Sequence, residues 1–226
     1  MISHPVLGTI VAHTQAVQRG QVECKVDQCP HCNQRSVDFK YHACRRRWFY
    51  VTVEQVVQQM RSVLTRWKFL VWHKAFIDYP DFALPYKRYV RQDLCQLSGR
   101  YVFDDSVSYR KTVRVNGNAG LLQRGRGREP AHRRAHTLTH STVHRWISFL
   151  GDLKQTLAQA WQLIRAKSPS CELFRTSTAV ASWKYRSQHR KILLQTCGRL
   201  LRIDHAYRHL FEVSIFTHLA IVCRWR

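Results

Sequence analysis

The sequence has 226 residues, 45% of them apolar, enough for one or two domains with folded cores. Its 37 Lys and Arg against 14 Asp and Glu give a net charge of +23, which points to a polyanion, most simply nucleic acid. An anionic membrane surface would attract the same charge, but no membrane-length apolar run and no signal-peptide pattern occurs, so a cytoplasmic, nucleoid-associated protein is expected.

In that compartment the eight cysteines predict a metal site or core thiols, not a disulfide framework. Residues 1–22 carry little pattern, and Pro5, Gly8 and Gly20 predict an irregular leader. A zinc-ribbon-like, β-rich module is expected over 23–82. It contains Cys29-Pro30-His31-Cys32, in which one turn brings two thiolates together for a d¹⁰ cation. A structural zinc site needs four ligands. The nearest further candidates are Cys24, His42 and Cys44, with Cys44 the next choice after the knuckle pair. A redox CxxC would belong at a strand-to-helix junction of a βαβ unit, and none is evident here.

RRRWFYVTV, 45–53, is basic, aromatic and β-branched, so it predicts a strand. Residues 54–64 fit both periods: Val53, Val56, Val57, Met60 and Leu64 suit a helix, while Val63, Thr65, Trp67 and Phe69 alternate. A strand pair is expected, with room for a helical turn between. Pro80 and Pro85 mark the end of this part. A helix-turn-helix domain is expected over 83–167. Its first helix reads as 86–96, broken by Ser98-Gly99, and its second as 106–113, capped by Asp104 or Asp105. Residues 114–137 are rich in Gly, Arg and His and predict a mobile basic arm, with Arg124, Arg126, Arg128, Arg133 and Arg134 on DNA phosphates.

LTHSTVHRWISFLGDL, 138–153, predicts a short helix capped by Thr139 or Ser141. Val143, Trp146, Ile147 and Leu150 form its apolar face. Ser141, Thr142, His144, Arg145 and Ser148 fall largely on the other face. The first residues of a recognition helix meet base edges, so Ser141, Thr142, His144 and Arg145 are the candidate DNA-reading residues. Gly151 suits the position just past the helix end, with Asp152 capping the next helix, 152–167. A C-terminal helical region is expected over 168–226, in pieces at 171–185, 187–201 and 204–224. Its ASWKYRSQHRK stretch, 181–191, is basic and suits phosphate contacts. Cys95, Cys171, Cys197 and Cys223 sit among apolar neighbours and read as core thiols.

FIDYPDFALPYKRYV, RYVFDDSVSYRKTV and LTHSTVHRWISFLG, in that order, resemble a group of bacterial mobile-element proteins, often found beside transposases, that carry a zinc ribbon followed by a helix-turn-helix. The resemblance covers about Cys29 to the C-terminus. It implies a bound zinc ion, duplex DNA as partner, and a transposase or a second copy of the chain as a further one. In that pattern a second CxxC precedes the FIDYP-like segment, and Phe69 and Trp72 stand there instead. Either the site is rebuilt from Cys24, His42, Cys44 or His73, or apolar packing replaces the metal.

The expected fold class is therefore mainly α, with a small β-rich N-terminal module, a helix-turn-helix and a C-terminal helical region. The expected function is sequence-specific duplex DNA binding in transposition or its regulation. No catalytic centre is expected. Carboxylates are too few for a two-metal nuclease, and Asp104-Asp105 is better explained as a helix cap. No HExxH, GxSxG or P-loop occurs. HxxR of a tyrosine recombinase fits His205–Arg208, but also His42–Arg45. A catalytic recombinase and a basic RNA-binding protein are the alternatives. No small-molecule substrate is evident.

Overall fold

A long antiparallel hairpin organises the N-terminal half. The computed structural model describes residues 5–25, 39–53, 56–70, 75–113, 138–171 and 187–219. Strands β1 (Phe39–Val53) and β2 (Val56–Phe69) pair from Val53↔Val56 at the turn to Phe39↔Phe69 at the open end. His42 is the extra residue of a bulge, where the register shifts between Tyr41 and Ala43. The ambiguous 56–64 stretch is thus strand throughout, because β1 supplies a ladder partner for each residue. β3 (Ala75–Asp78) pairs with the other edge of β2, so β2 is central and β1 is an edge strand. Ser62, Val63, Leu64 and Thr65 are buried in succession, so this centre is covered on both faces.

The N-terminal segment corrects the expected irregular leader. It is a helix, α1 (Pro5–Gln18), that packs on β2. Pro5 stands in its first turn, where a missing N–H costs no helical bond. Val6 and Ile10, one turn apart, join Phe49, Val51, Leu64 and Phe82 in a small core. His13 Nε2 bonds the Val63 carbonyl oxygen at 3.0 Å, and Thr14 and Ser62 hydroxyls meet at 2.9 Å. Gly20, at φ 72°, ends the helix. The Gln21 N–H then donates to the Ala16 carbonyl oxygen at 2.9 Å, closing the last turn.

Residues 79–90 join the hairpin to the helices. Phe82 and Ala83 belong to the small core, while Leu84 belongs to the larger helical one. The Tyr50 N–H donates to the Arg88 carbonyl oxygen at 2.9 Å, and the Val90 N–H donates to the Tyr50 carbonyl oxygen at 3.0 Å. The prolines at 80 and 85 therefore mark a packed joint.

The helical part comprises α2 (Arg91–Phe103), α3 (Tyr109–Thr112), α4 (His140–Gly151), α5 (Lys154–Lys167), α6 (Gln188–Phe211) and α7 (Ile215–His218). More than half of the described residues are helical, so the protein is mainly α. Several boundaries differ from expectation. α2 starts five residues after 86 and runs through Ser98 and Gly99, because Ser98 packs inside and Gly99 meets Leu201 of α6. Ser108 caps α3, its hydroxyl accepting the Lys111 N–H at 3.2 Å. The Asp104 carboxylate instead folds its own loop, accepting the Ser106 N–H at 2.9 Å. The expected 187–201 piece and the start of the 204–224 piece run together as one helix of 24 residues that stops at Glu212, φ 59°, before the Ser214 cap of α7, and residues 220–224 lie outside the described residues. The 171–185 piece lies almost entirely outside the described residues.

α4 and α6 form the centre of the larger core. Val143, Trp146, Ile147 and Leu150 meet Leu194, Cys197, Leu200, Ile203 and Tyr207 in it, and Tyr50 and Val57 of the hairpin reach the same cluster. Cys197 is buried, and burial pushes the Cys95 thiol up to about 12, so both are protonated core thiols. Cys171 is half-buried, and Cys223 lies outside the described residues. No described helix is long and apolar enough to cross a membrane.

A carboxylate–arginine cluster closes the far end. Asp204 accepts the Ser214 hydroxyl at 2.6 Å, the Ile215 N–H at 3.0 Å and Arg208 Nη2 at 2.7 Å. Arg91, its side chain 8% exposed, reaches Asp81 at 2.8 Å and lies 4.0 Å from Asp204. Nearby, burial raises the Asp78 carboxyl to about 6, against an opposing hydrogen bond and charge from Lys25. An acid raised in the folded state binds its proton more tightly there. Stability is therefore highest below pH 4 for this group and is lost as pH rises through about 6. At roughly 1.4 kcal/mol per pKa unit, Asp78→Asn is expected to be about 1–3 kcal/mol more stable than wild type at pH 7 and equal to it near pH 4. Urea melts at the two pH values check this. An equal difference at both would place the effect outside Asp78 ionisation.

Candidate nucleic-acid interface

α4 carries the two faces its sequence predicts. Val143, Trp146, Ile147 and Leu150 are at most 4% exposed. Ser141, His144 and Arg145 are exposed and Thr142 is half-buried. Thr139 holds the cap position, yet its hydroxyl contacts Ser141 Oγ at 2.9 Å and Thr142 Oγ1 at 3.0 Å in place of a backbone N–H. A small hydroxyl cluster thus sits at the helix start. The first turn holds no acidic side chain, so its positive dipole end is not neutralised from within the helix.

The C-terminal end corrects the expected cap. Gly151 is the last residue of α4, and a Cβ built on it would lie 2.5 Å from the Leu193 carbonyl oxygen of α6. The glycine serves close helix approach. Asp152 is the residue that ends α4, and α5 follows with no side-chain cap, after a connection of Asp152 and Leu153 alone. α3 and α4, by contrast, are separated in sequence by residues 113–139. α2, α3 and α4 nevertheless pack on one another.

Arg190 holds this arrangement, and sequence reasoning placed it wrongly among phosphate-contacting residues. It is 7% exposed. Its Nη1 donates to Ser148 Oγ at 2.6 Å, and Nη2 donates to the Tyr109 hydroxyl and, at 3.3 Å, to the His144 carbonyl oxygen. Tyr109 in turn stacks on Tyr101, ring centres 3.9 Å apart. One guanidinium thereby ties α3, α4 and α6 together. Ser148 is consequently half-buried, although periodicity placed it outward. Partial burial, then the charges of Arg190 and Arg145, hold the His144 imidazole below its usual pKa. At neutral pH His144 therefore offers hydrogen bonds and no charge.

One further cation borders the helix and a second stands behind it. Lys87 Nζ lies 4.1 Å from the centre of the Phe149 ring, and Phe149 stands one turn beyond Arg145 on the same row. Arg47 of β1 donates to the Lys87 carbonyl oxygen at 3.1 Å. Only the tertiary structure brings these residues to α4.

No protein-family model, curated protein or solved structure matches the chain.

The remaining candidates are spread elsewhere. Arg124, Arg126, Arg128, Arg133 and Arg134 lie outside the described residues, as do Cys29, Cys32 and His73. Cys44 is exposed on β1, near the Tyr41 phenol. Among the described residues no three His, Cys, Asp or Glu side chains converge as a metal site. Of the HxxR pair at 205–208, His205 is exposed and Arg208 is held in an ion pair. Arg208 pairs with Asp204, and the Tyr207 hydroxyl, fully buried, meets His218 Nδ1 at 2.6 Å.

A cleft of about 1250 Å³ lies between α1 with residues 20–25 and the α6–α7 end. Glu23, Asp78, Asp81 and Glu212 line it, four of the chain's 14 carboxylates. Lys25, Arg91 and Arg208 line it as well, so these carboxylates sit among cations, and α4 itself carries no Asp or Glu.

Proposed function

We propose that the protein binds duplex DNA sequence-specifically, with α4 entering the major groove as the second helix of a helix-turn-helix. The observation that carries this reading is the division of α4. Its apolar face is locked into the core, while Ser141, His144 and Arg145 stand exposed on a mount stiffened by Arg190. A rigid helix presenting short polar groups and one arginine suits base edges, and the +23 chain supplies attraction to the phosphates. The biological setting in this reading is transposition or its regulation, without a catalytic centre of the protein's own. That setting rests on the likeness of the STVHRW segment and its neighbours to the mobile-element group.

Arg145 has the reach for two parallel hydrogen bonds to guanine. Arg145→Ala is expected to weaken binding to a duplex selected from random sequence by about 1–3 kcal/mol and to relax preference at one or two positions. Its melting temperature should stay within a degree or so of wild type, because the side chain is exposed. Fluorescence anisotropy on selected and scrambled duplexes at two salt concentrations measures both effects. Unchanged affinity and preference would remove α4 as the reading helix, and tighter binding to single-stranded RNA than to any duplex would favour the RNA alternative.

A further inference from the structure

We propose that a second surface, running from α4 along residues 87–88 to the edge strand β1, grips the sugar–phosphate backbone of the duplex that α4 reads. The inference rests on the α4 reading and extends its footprint to one side. The track begins at Arg145. One turn on, Phe149 lies under the Lys87 ammonium, 4.1 Å from its ring centre. The Lys87 carbonyl oxygen accepts Arg47 Nη2 at 3.1 Å, which places β1 directly against this segment. The ring of Tyr89, 5.2 Å from that of Tyr50 and 5.0 Å from that of Trp146, fixes β1 and α4 to a common core. Arg46 projects from the face of β1 that Tyr50 shares with the α4 core, and Arg45, about 6.7 Å beyond Arg47, projects from the opposite face, which Phe49 and Val51 share with α1, so the track follows the strand edge between the two faces. Arg45, Arg46 and Arg88 are exposed.

Charge and edge geometry select the partner. β1, residues 86–91 and α4 contain no Asp or Glu, and neither does β2 opposite. Arg45 and Arg46 face Leu64 and Val63 across the ladder, so no carboxylate neutralises them from the paired strand. Clustered like charges raise the energy of the free protein. A polyanion offsets that cost and releases its own counterions on binding. The inner part of the β1 edge is occupied by the Tyr50 bonds to residues 88 and 90, whereas Lys40 to Arg46 present exposed side chains except at Ala43. A cationic edge joined to a reading helix suits the backbone flanking the read site.

The test uses the full chain and the selected duplex, comparing R45Q/R46Q with R145A in hydroxyl-radical footprints and in salt titrations. Each phosphate contact contributes about 0.9 to the slope of log affinity against log salt. R45Q/R46Q is expected to lower that slope by about 1–2, to shorten protection on one flank, and to leave the ranking of sequences unchanged. Melting curves show whether the hairpin remains folded. A folded R45Q/R46Q with wild-type slope and footprint overturns the track, whatever R145A does. If R145A is silent while R45Q/R46Q lowers the slope, β1 contacts phosphate but the α4 reading, and with it the shared footprint, fails. A response confined to single-stranded RNA overturns the duplex assignment.

Discussion

Trp146→Ala is expected to destabilise the protein by about 3–5 kcal/mol, measured by urea unfolding, with loss of duplex binding at temperatures where wild type is fully active. The ring is 4% exposed and meets the Tyr89 ring edge-on, 5.0 Å between centres at 65°. Its removal takes away that aromatic contact and leaves a cavity in the larger core. Tyr89 also contacts Tyr50, so the loss extends from α4 to the hairpin. Trp146→Phe keeps an aromatic ring against Tyr89 and should recover most of the stability. A cost under 1 kcal/mol for the alanine variant would mean that this ring does not hold α4 in place.

Gly151→Ala is expected to cost about 2–3 kcal/mol, an unusual result for a glycine inside a helix. Alanine favours helix by about 1 kcal/mol, so propensity alone predicts a gain. The new methyl, however, would lie 2.5 Å from the Leu193 carbonyl oxygen and 2.9 Å from its Cα. These are backbone atoms of α6, so no side-chain rotation relieves the clash and the two helices must separate. The displacement would also tilt α4 and weaken duplex binding more than the stability loss predicts. Gly151→Asn distinguishes the two roles of this glycine. A helix-ending glycine with positive φ tolerates asparagine, whereas a close approach does not. Thermal melts in which Asn matches Gly would restore the end-cap role.

The strand over 45–53, the two faces of α4, the span of α5 and the excess of positive charge were legible in the sequence, because each is written in local periodicity or composition. RRRWFYVTV is a strand, and Val143, Trp146, Ile147 and Leu150 are buried as their spacing predicts. α1 was not legible. Its partners lie on β2, about fifty residues away, and only Val6 and Ile10 are buried, too few to mark a period. Arg190 read as a surface base, since nothing adjacent in sequence foretells the Ser148 hydroxyl and Tyr109 phenol that its guanidinium bonds. Gly151 read as a terminator for the same reason: the atom that requires its missing side chain belongs to another helix. Periodicity specifies which face of an element must leave water, and the sequence by itself determined that much. The tertiary structure alone decided what covers each face, because those partners are set by packing between segments distant in the chain.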